Sequence, residues 1–222
     1  MTQAHRGDGA VTANGILEWL RPRWSVVLFW TIDLATKSRL AKRSDVAEFG
    51  PGADPDTIVS VAHALNLTAT EAASRMARGA HCLTLRVAGE IASTCWVSST
   101  AEWLGEIEQS FVPEPGAAYV WDCATKPIYR GRHLYPELLE EILRRLSVAG
   151  YRRAWIATEW KNWRSARGVR RSGFQPVAVV VTISWAGLRL VSVIPNARAE
   201  PKIVAELREG LQRQGQPRQL VR

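Results

Sequence analysis

A short basic turn between a strand and a helix carries the most specific chemistry in this 222-residue chain. The turn, Arg130-Gly131-Arg132-His133, follows an apolar stretch and directly precedes a segment with helical periodicity. Backbone N–H groups in the first turn of a helix lack partners within the helix, and the helix dipole adds positive potential there. Together with two arginines they form a suitable cradle for phosphate groups. The turn therefore predicts a phosphorylated ligand.

Other phosphate, metal and redox motifs are missing from the sequence. The turn matches neither G-x-x-x-x-G-K-[ST] nor G-x-G-x-x-G, so its spacing excludes a P-loop and a dinucleotide fingerprint. Cys82, Cys95 and Cys123 form no C-x-x-C pair, which argues against a disulfide framework or a zinc knuckle. We interpret the three cysteines as buried thiols and expect no metal site.

The elements that must position the turn follow from local sequence patterns. The β-rich stretch 117–125 is predicted to be the strand before the turn, and residues 153–158 are predicted to be the next strand. Between them, apolar residues at i, i+4, i+8 and i+12 predict an amphipathic helix that Gly150 ends. Asn162 is a candidate N-cap for a short Arg-rich helix, which Ser172-Gly173 would close.

Further elements are predicted on both sides of this central part. They are a strand over 24–32, helices starting near 55 and 70, a hairpin of 81–87 and 90–98, strands near 176–185 and 188–194, and a helix over 200–211. Residues 16–20 are predicted to form a short helical turn. The acidic segment 99–116 is predicted to be a long loop of the kind that is more often functional or mobile than structural.

Charge is distributed unevenly along the chain, whose formal net charge is +8. Residues 1–125 hold 10 Lys and Arg against 14 Asp and Glu, whereas residues 126–222 hold 19 against 7. A basic second half suggests an anionic partner: a phosphorylated cofactor, an acidic carrier protein, nucleic acid or anionic lipid. Because no zinc-finger spacing or RNA-binding signature occurs, we expect no specific nucleic-acid binding.

Hydropathy excludes a membrane span from the sequence. The longest apolar run near the start, residues 26–32, is far short of the roughly 20 residues that cross a bilayer. The first fifteen residues lack the pattern of a secretory signal, so we expect a cytoplasmic protein.

Two linked motifs add a family resemblance. The stretch CATKPIYRGRHLYPELLEEIL resembles the acyl-CoA-binding motif of the GNAT superfamily of N-acetyltransferases, R/Q-x-x-G-x-G/A between a strand and a helix. The stretch TEWKNWRSARGVRRSGF is similar to that superfamily's N-x-x-A, helix and terminal G-F, which are here Asn162, Ser165 and Gly173-Phe174. Closely matched residues cover 117–174, and the flanking elements fit the same fold.

The resemblance implies an α/β fold with a GNAT-type mixed central sheet, flanking helices and splayed fourth and fifth strands. We expect residues 1–222 to form a single acyltransferase domain. Within it, residues 1–15 would be a flexible start, 117–174 the cofactor-binding core, and 200–222 a C-terminal helix and tail.

The resemblance also implies that acetyl-CoA or another acyl-CoA is the donor substrate, without a metal. The residues that it assigns to the cofactor are Cys123, Ala124, Thr125, Arg130, Gly131, Arg132, His133, Leu134, Tyr135 and Asn162. Two of these depart from the motif, because His133 and Tyr135 stand where it has small residues. At Val169, many members carry a tyrosine that reprotonates the departing thiolate.

The chemistry that the resemblance implies is attack of an amine on the thioester carbonyl, in a cleft between the splayed strands. Glu159 and Asp122 are alternative bases for the amine, and a backbone N–H near 123–125 would bind the oxyanion. Because Val169 cannot donate a proton, either Ser165, a water or another group would protonate the thiolate, or the reaction needs no acid at this point.

The function implied is N-acyl transfer, with acetyl as the expected group, from CoA to a primary amine of a small molecule or amino sugar. Two alternatives stay open. The chain would be an N-acyl amino acid synthase that takes long acyl chains from acyl carrier protein, or a CoA-binding sensor without activity. A homodimer is a further alternative for the assembly.

Overall fold

The computed structural model describes residues 22–35, 45–185 and 188–212. The strands are β1 (Arg23–Asp33), β2 (Val46–Phe49), β3 (His81–Val87), β4 (Glu90–Ser98), β5 (Glu102–Leu104), β6 (Gln109–Phe111), β7 (Ala117–Thr125), β8 (Arg153–Glu159), β9 (Gln175–Trp185) and β10 (Leu188–Pro195). The helices are α1 (Pro55–Leu65), α2 (Ala69–Ala77), α3 (Leu134–Val148), α4 (Trp163–Arg171) and α5 (Pro201–Gln212).

Local capping explains where the helices begin. The Asp54 side chain accepts a hydrogen bond from the Thr57 backbone N–H at 2.9 Å, at the start of α1. At the start of α4, the Asn162 Oδ1 atom accepts from the Ser165 N–H at 3.1 Å, which confirms the predicted N-cap. Both caps satisfy one of the backbone donors that a helix start leaves free.

Eight strands form one mixed sheet in the order β10-β9-β1-β8-β7-β4-β3-β2, and β5 and β6 form a separate hairpin. The pairing of β7 with β8 is parallel, and the other pairings of the large sheet are antiparallel. The parallel pairing covers 117–120 and 153–156, so the two strands separate beyond these residues. This is the predicted splay, and it opens a gap in the middle of the sheet.

The first strand lies inside the sheet, between β8 and β9. It pairs antiparallel with both, so that Leu28 lies opposite Thr158 on one side and Val179 on the other. Local sequence patterns predict the strand but not its neighbours, because strand order depends on contacts far apart in the chain. As a result, β10 forms one edge of the sheet.

Helices cover both faces of the sheet. On the side that we call the α3 face, Leu138 and Ile142 of α3 and Val169 of α4 pack against buried strand residues such as Trp30. On the opposite side, which we call the α5 face, Leu207 of α5 packs against strands β1 and β9 and against the β5–β6 hairpin. Helices α1 and α2 cover β3 and β4 through a third cluster that includes Trp96.

Most of the predicted elements are confirmed, one prediction is wrong, and one strand was missed. The segment 99–116 is more than a loop, since it contains β5 and β6, whose Leu104 and Phe111 are buried. Strand β2 was not predicted from the sequence. The predicted turn at 16–20, the flexible start and the tail beyond 212 lie outside the described residues.

None of the helices in the described part of the chain combines the length and the apolar composition needed to span a membrane.

Candidate functional site

The gap between β7 and β8 opens on the α3 face into a cleft of about 830 Å³, within the usual range of ligand sites. Strand β7, the turn after it, the start of α3 and helix α4 line this cleft. The lining residues are Cys123, Ala124, Thr125, Tyr129, Arg130, Gly131, His133, Leu134, Tyr135, Pro136, Asn162, Trp163, Arg164, Ser165, Arg167, Gly168 and Arg171.

The turn between β7 and α3 has the backbone that the predicted phosphate cradle requires. His133, the N-cap of α3, has φ 62°, a left-handed conformation that favours glycine. Its side chain makes no capping hydrogen bond, so the first amides of α3 are left for another acceptor. The turn therefore leaves the first amides of α3 without a side-chain cap, although a histidine stands where the motif has a small residue.

Arginines from two elements give the cleft its positive charge. Arg130 Nε donates to the Thr125 carbonyl at 3.1 Å, which fastens the turn to the end of β7. Arg171 Nη1 lies 3.4 Å from His133 Nδ1, so α4 and the turn meet across the cleft. This set of guanidinium and amide donors fits phosphate groups.

The structure brings nine of the ten sequence-assigned cofactor residues to the cleft, and Arg132 is the exception. Its guanidinium lies over the Tyr129 ring, 5.5 Å from the ring centroid. The sequence analysis did not assign Arg164, Arg167 and Arg171 to the site. Their i, i+3, i+7 spacing, which puts them on one helix face, was the signal that could have found them.

Tyr135 lies in the cleft with its hydroxyl 3.3 Å from the Ser165 Oγ atom. Its ring packs directly on Gly168, where an added Cβ would lie 2.6 Å from Tyr135 Cδ1. Burial raises the pKa of the Tyr135 hydroxyl well above its usual range, so the hydroxyl stays protonated at neutral pH. The cleft therefore contains a protonated Tyr135 hydroxyl within reach of the Ser165 hydroxyl.

The position at which the motif carries its tyrosine, Val169, does not face the cleft. Val169 is fully buried in the core beneath α3 and does not line the cleft. A tyrosine at this position would overfill the core instead of reaching a ligand. Tyr135 of α3, which the motif treats only as a departure from a small residue, instead brings a second hydroxyl to the cleft beside that of Ser165 on α4.

A second cavity of about 210 Å³ opens from the same gap on the α5 face. Both candidate bases line it, Asp122 from β7 and Glu159 from the end of β8, and Ser165 does not. Glu106 adds a third carboxylate from the β5–β6 hairpin. The aromatic side chains Trp103 and Trp121 also line this cavity, so it is acidic and partly aromatic.

The two candidate bases differ in their partners. Asp122, at a left-handed φ of 44°, forms an ion pair with Arg75. Arg75 also lies over the Trp121 ring, 4.8 Å from its centroid, so this carboxylate is held in a packed cluster. Within the described residues, Glu159 has no ion pair. Of the two carboxylates, Glu159 is therefore the one whose charge no described cation balances.

The three cysteines differ in their access to the cleft. Cys82 and Cys95 are buried, and burial raises the pKa of Cys82 to about 12. Burial also raises the pKa of Cys95 well above its usual range. Cys123 is half-buried and lines the cleft, so the interpretation as buried thiols holds for two of the three.

Across 22–35, 45–185 and 188–212, no group of three His, Cys, Asp or Glu side chains is placed to hold a metal ion.

Comparison with known proteins gives matches among solved structures. No protein-family model and no curated protein matches the sequence. The chain is similar to a GNAT-family acetyltransferase structure from Novosphingobium aromaticivorans, with TM-score 0.53 and 15% identity over 72% of this chain and 63% of that one. It is also similar to a GCN5-related N-acetyltransferase from Sphaerobacter thermophilus, with TM-score 0.50 and 15% identity over 86% of this chain and 59% of that one. A GCN5-related N-acetyltransferase from Kribbella flavida matches with TM-score 0.50 and 15% identity over 79% of this chain and 64% of that one.

The likeness extends over most of this chain, which spans about three fifths of the length of these structures. It agrees with the mixed sheet, the splay of β7 and β8 and the flanking helices described above. The chain therefore has the fold of the GNAT N-acetyltransferases.

Proposed function

We propose that the chain is an N-acyltransferase that moves an acyl group from a CoA thioester to a primary amine. The observation that carries this proposal is a pair of cavities of opposite charge that open at the same gap between β7 and β8. The basic cleft suits a phosphorylated donor, and the acidic cavity suits a cationic acceptor. Their common opening is where the thioester and the amine would meet.

Donor binding would use the basic cleft. The free amides at the start of α3 and the guanidinium of Arg130 would hold the pyrophosphate, and Arg171 would close over it from α4. Beyond Val120, strand β7 has no pairing with β8, so its backbone is available to hydrogen-bond an extended ligand in the gap. The thioester supplies an activated acyl carbonyl at that point.

The residues around the gap would supply each proton transfer. The amine nitrogen forms a bond to the acyl carbon as the C–S bond breaks, and Glu159 takes the proton that the nitrogen loses. A backbone N–H of β7 near Cys123 would stabilise the oxyanion, and Tyr135 would give its proton to the leaving thiolate. Ser165, whose Oγ atom lies 3.3 Å from the Tyr135 hydroxyl, would return a proton to Tyr135 from solvent.

The second cavity favours an acceptor that is cationic and carries an apolar or aromatic group. Glu106 and Glu159 form no ion pair with any described residue, whereas the charge of Asp122 is balanced by Arg75. Two carboxylates whose charge no described cation balances attract an ammonium group, and aromatic rings such as Trp103 stack on a cation or an apolar ring. We therefore propose a small arylalkyl amine or diamine as the acceptor class.

Transfer with a panel of amines tests the proposed function. The protein is incubated with acetyl-CoA, longer acyl-CoAs or acyl carrier protein thioesters, and thiol release and N-acyl product are both measured. We expect product with at least one arylalkyl amine or diamine, and faster transfer from acyl-CoA than from the carrier protein. Tight binding of CoA without any product across the panel would replace the enzyme with a CoA-binding sensor.

Alkylation of Cys123 reports directly on donor binding. Iodoacetamide at pH 8 should modify Cys123, which lines the open cleft, and spare Cys82, which is buried and whose pKa burial raises to about 12. CoA should protect Cys123, because this residue lines the cleft. Peptide mass spectrometry measures the modification rates. Arg171→Ala should need a higher CoA concentration for protection, with Lys202→Ala on α5 as the control.

An unchanged alkylation rate of Cys123 at saturating CoA would contradict binding in this cleft.

A further inference from the structure

Strand β7 has one extra residue where it pairs with β4. Between two regular pairs of these strands, the single residue Cys95 of β4 lies opposite both Asp122 and Cys123 of β7. Two residues opposite one make a β-bulge, and in one common form the first of the two is a glycine with a left-handed φ. Here that position is Asp122, with φ 44°. An aspartate therefore takes a backbone conformation that favours glycine.

The bulge changes the direction in which the following residues point. In a regular strand, residues two apart lie on the same side of the sheet. Trp121 packs against the clusters of the α5 face and of Trp96, whereas Cys123, two residues later, packs against the cluster of the α3 face. Successive backbone N–H groups of a strand point alternately to its two neighbours, so the extra residue also shifts which of them point toward β8. The bulge thus decides which amides face the gap, which begins beyond Val120.

An arginine of α2 contacts the bulge. Arg75 Nη1 donates a hydrogen bond to Asp122 Oδ2 and forms an ion pair with this carboxylate. The Arg75 side chain is only 12% exposed, and its guanidinium lies over the stacked rings of Trp96 and Trp121, 5.3 and 4.8 Å from their centroids. Glu71, one turn earlier in α2, accepts from Arg75 Nη2 at 2.9 Å. Ring packing and a second carboxylate therefore fix the guanidinium that Asp122 meets.

Helix α2 is itself fastened to the sheet. Thr68 Oγ1 caps its first turn by accepting from the Glu71 N–H at 3.1 Å. Met76, next to Arg75, is buried in the cluster that contains Trp96 of β4. Arg75 thus reaches β7 from an element with a defined position, so its ion pair can hold the backbone of Asp122 in place.

We infer that Arg75 is a positioning residue: its ion pair with Asp122 holds the bulge of β7, and the bulge aims the following N–H groups at the gap. The N–H of Cys123 belongs to the region that would stabilise the oxyanion, so the effect on catalysis rests on the proposed function. The effect on the backbone does not. Because Arg75 also lines the acceptor cavity, direct contact with the acceptor is the competing role for its side chain.

Substitutions at both partners test the positioning role. Arg75→Ala should lower kcat about 10-fold, because Asp122 must then keep its left-handed φ without the ion pair. The double variant Arg75→Ala/Asp122→Gly should be about 10-fold faster than Arg75→Ala/Asp122→Ala, since glycine adopts a positive φ readily and alanine does not. Both double variants lack the guanidinium and the carboxylate, so they differ only in the freedom of the backbone.

The matched control is Arg78→Ala, which removes the arginine three residues later, whose ion pair is with Glu102. It should leave kcat within about twofold. Equal rates in the two double variants would overturn the inference. So would an Arg75→Ala variant whose KM for the amine rises at constant kcat, because Arg75 would then contact the acceptor. If circular dichroism shows that Arg75→Ala does not fold, the single variants Asp122→Gly and Asp122→Ala make the same comparison, with the glycine variant again faster.

A measurement without substrates separates this inference from the proposed function. In NMR spectra, the nuclear Overhauser effect between the N–H and Hα of one residue is strong at a left-handed φ and weaker in an extended strand, because φ sets the distance between these hydrogens. Arg75→Ala should weaken this signal at Asp122, and Arg78→Ala should not. If the signal weakens as expected but the unmodified protein acylates no amine, the bulge is held by Arg75 and the proposed function is wrong. An unchanged signal in Arg75→Ala would overturn the inference even in an active enzyme.

Discussion

Tyr135→Phe should lower the rate of acyl transfer about 100-fold at saturating substrates, the low end of the usual contribution of a general acid. The phenyl ring keeps its packing on Gly168, so the affinity for CoA should stay within about twofold of the unmodified value. The substitution removes the hydroxyl whose oxygen lies 3.3 Å from Ser165 Oγ, and with it the proton that this hydroxyl would donate. Steady-state rates together with CoA titration separate the two effects.

Two further variants test whether the hydroxyl of Tyr135 or that of Ser165 is the proton donor. Gly168→Ala should also reduce the rate, because the added Cβ would lie 2.6 Å from the Tyr135 ring and must displace it. Ser165→Ala should cost less than Tyr135→Phe if Ser165 only returns the proton. A fully active Tyr135→Phe beside an impaired Ser165→Ala would show that Ser165 is the donor, and the role of Tyr135 would be wrong.

The relation between Tyr135 and Gly168 shows why this part of the site was not predictable. The two residues are far apart in the sequence, and they meet because α3 and α4 pack side by side on the same face. In the motif, Tyr135 is a replacement for a small residue. The role that we propose for it as a proton donor depends on a neighbour that only the tertiary structure supplies.

The local elements were more predictable than their arrangement. The β3–β4 hairpin and the amphipathic helix α3 follow from alternation, helical spacing and glycine turns, and the structure confirms them. The Asn162 cap was predictable for the same reason, because it acts within one turn. In contrast, the insertion of β1 between β8 and β9 depends on pairings that no local pattern records.

The acidic segment 99–116 was predictable in part. Its strands β5 and β6 are three residues long each, too short for alternation to identify them. Yet this hairpin brings Trp103 and Glu106 to the second cavity. The expectation that the segment is functional or mobile stays a prediction, whereas the expectation that it lacks regular structure was wrong.

Glu159→Gln should produce the largest loss, about 1000-fold in kcat/KM at neutral pH, within the range that general-base catalysis supplies. An aliphatic amine has a pKa near 10.4 and is almost wholly protonated at pH 7, so it must lose a proton before it attacks. Glu159 lines the acceptor cavity and has no ion pair among the described residues. Glutamine keeps the size of the side chain but accepts no proton.

The pH dependence separates a base from a binding group. As the pH rises toward about 10, free amine forms without help, so the defect of Glu159→Gln should shrink steadily. Asp122→Asn should give a smaller loss without this recovery, because its carboxylate is tied to Arg75. A larger loss in Asp122→Asn that recovers at high pH would make Asp122 the base instead. A loss in Glu159→Gln that stays constant with pH would mean that Glu159 binds the acceptor but does not deprotonate it.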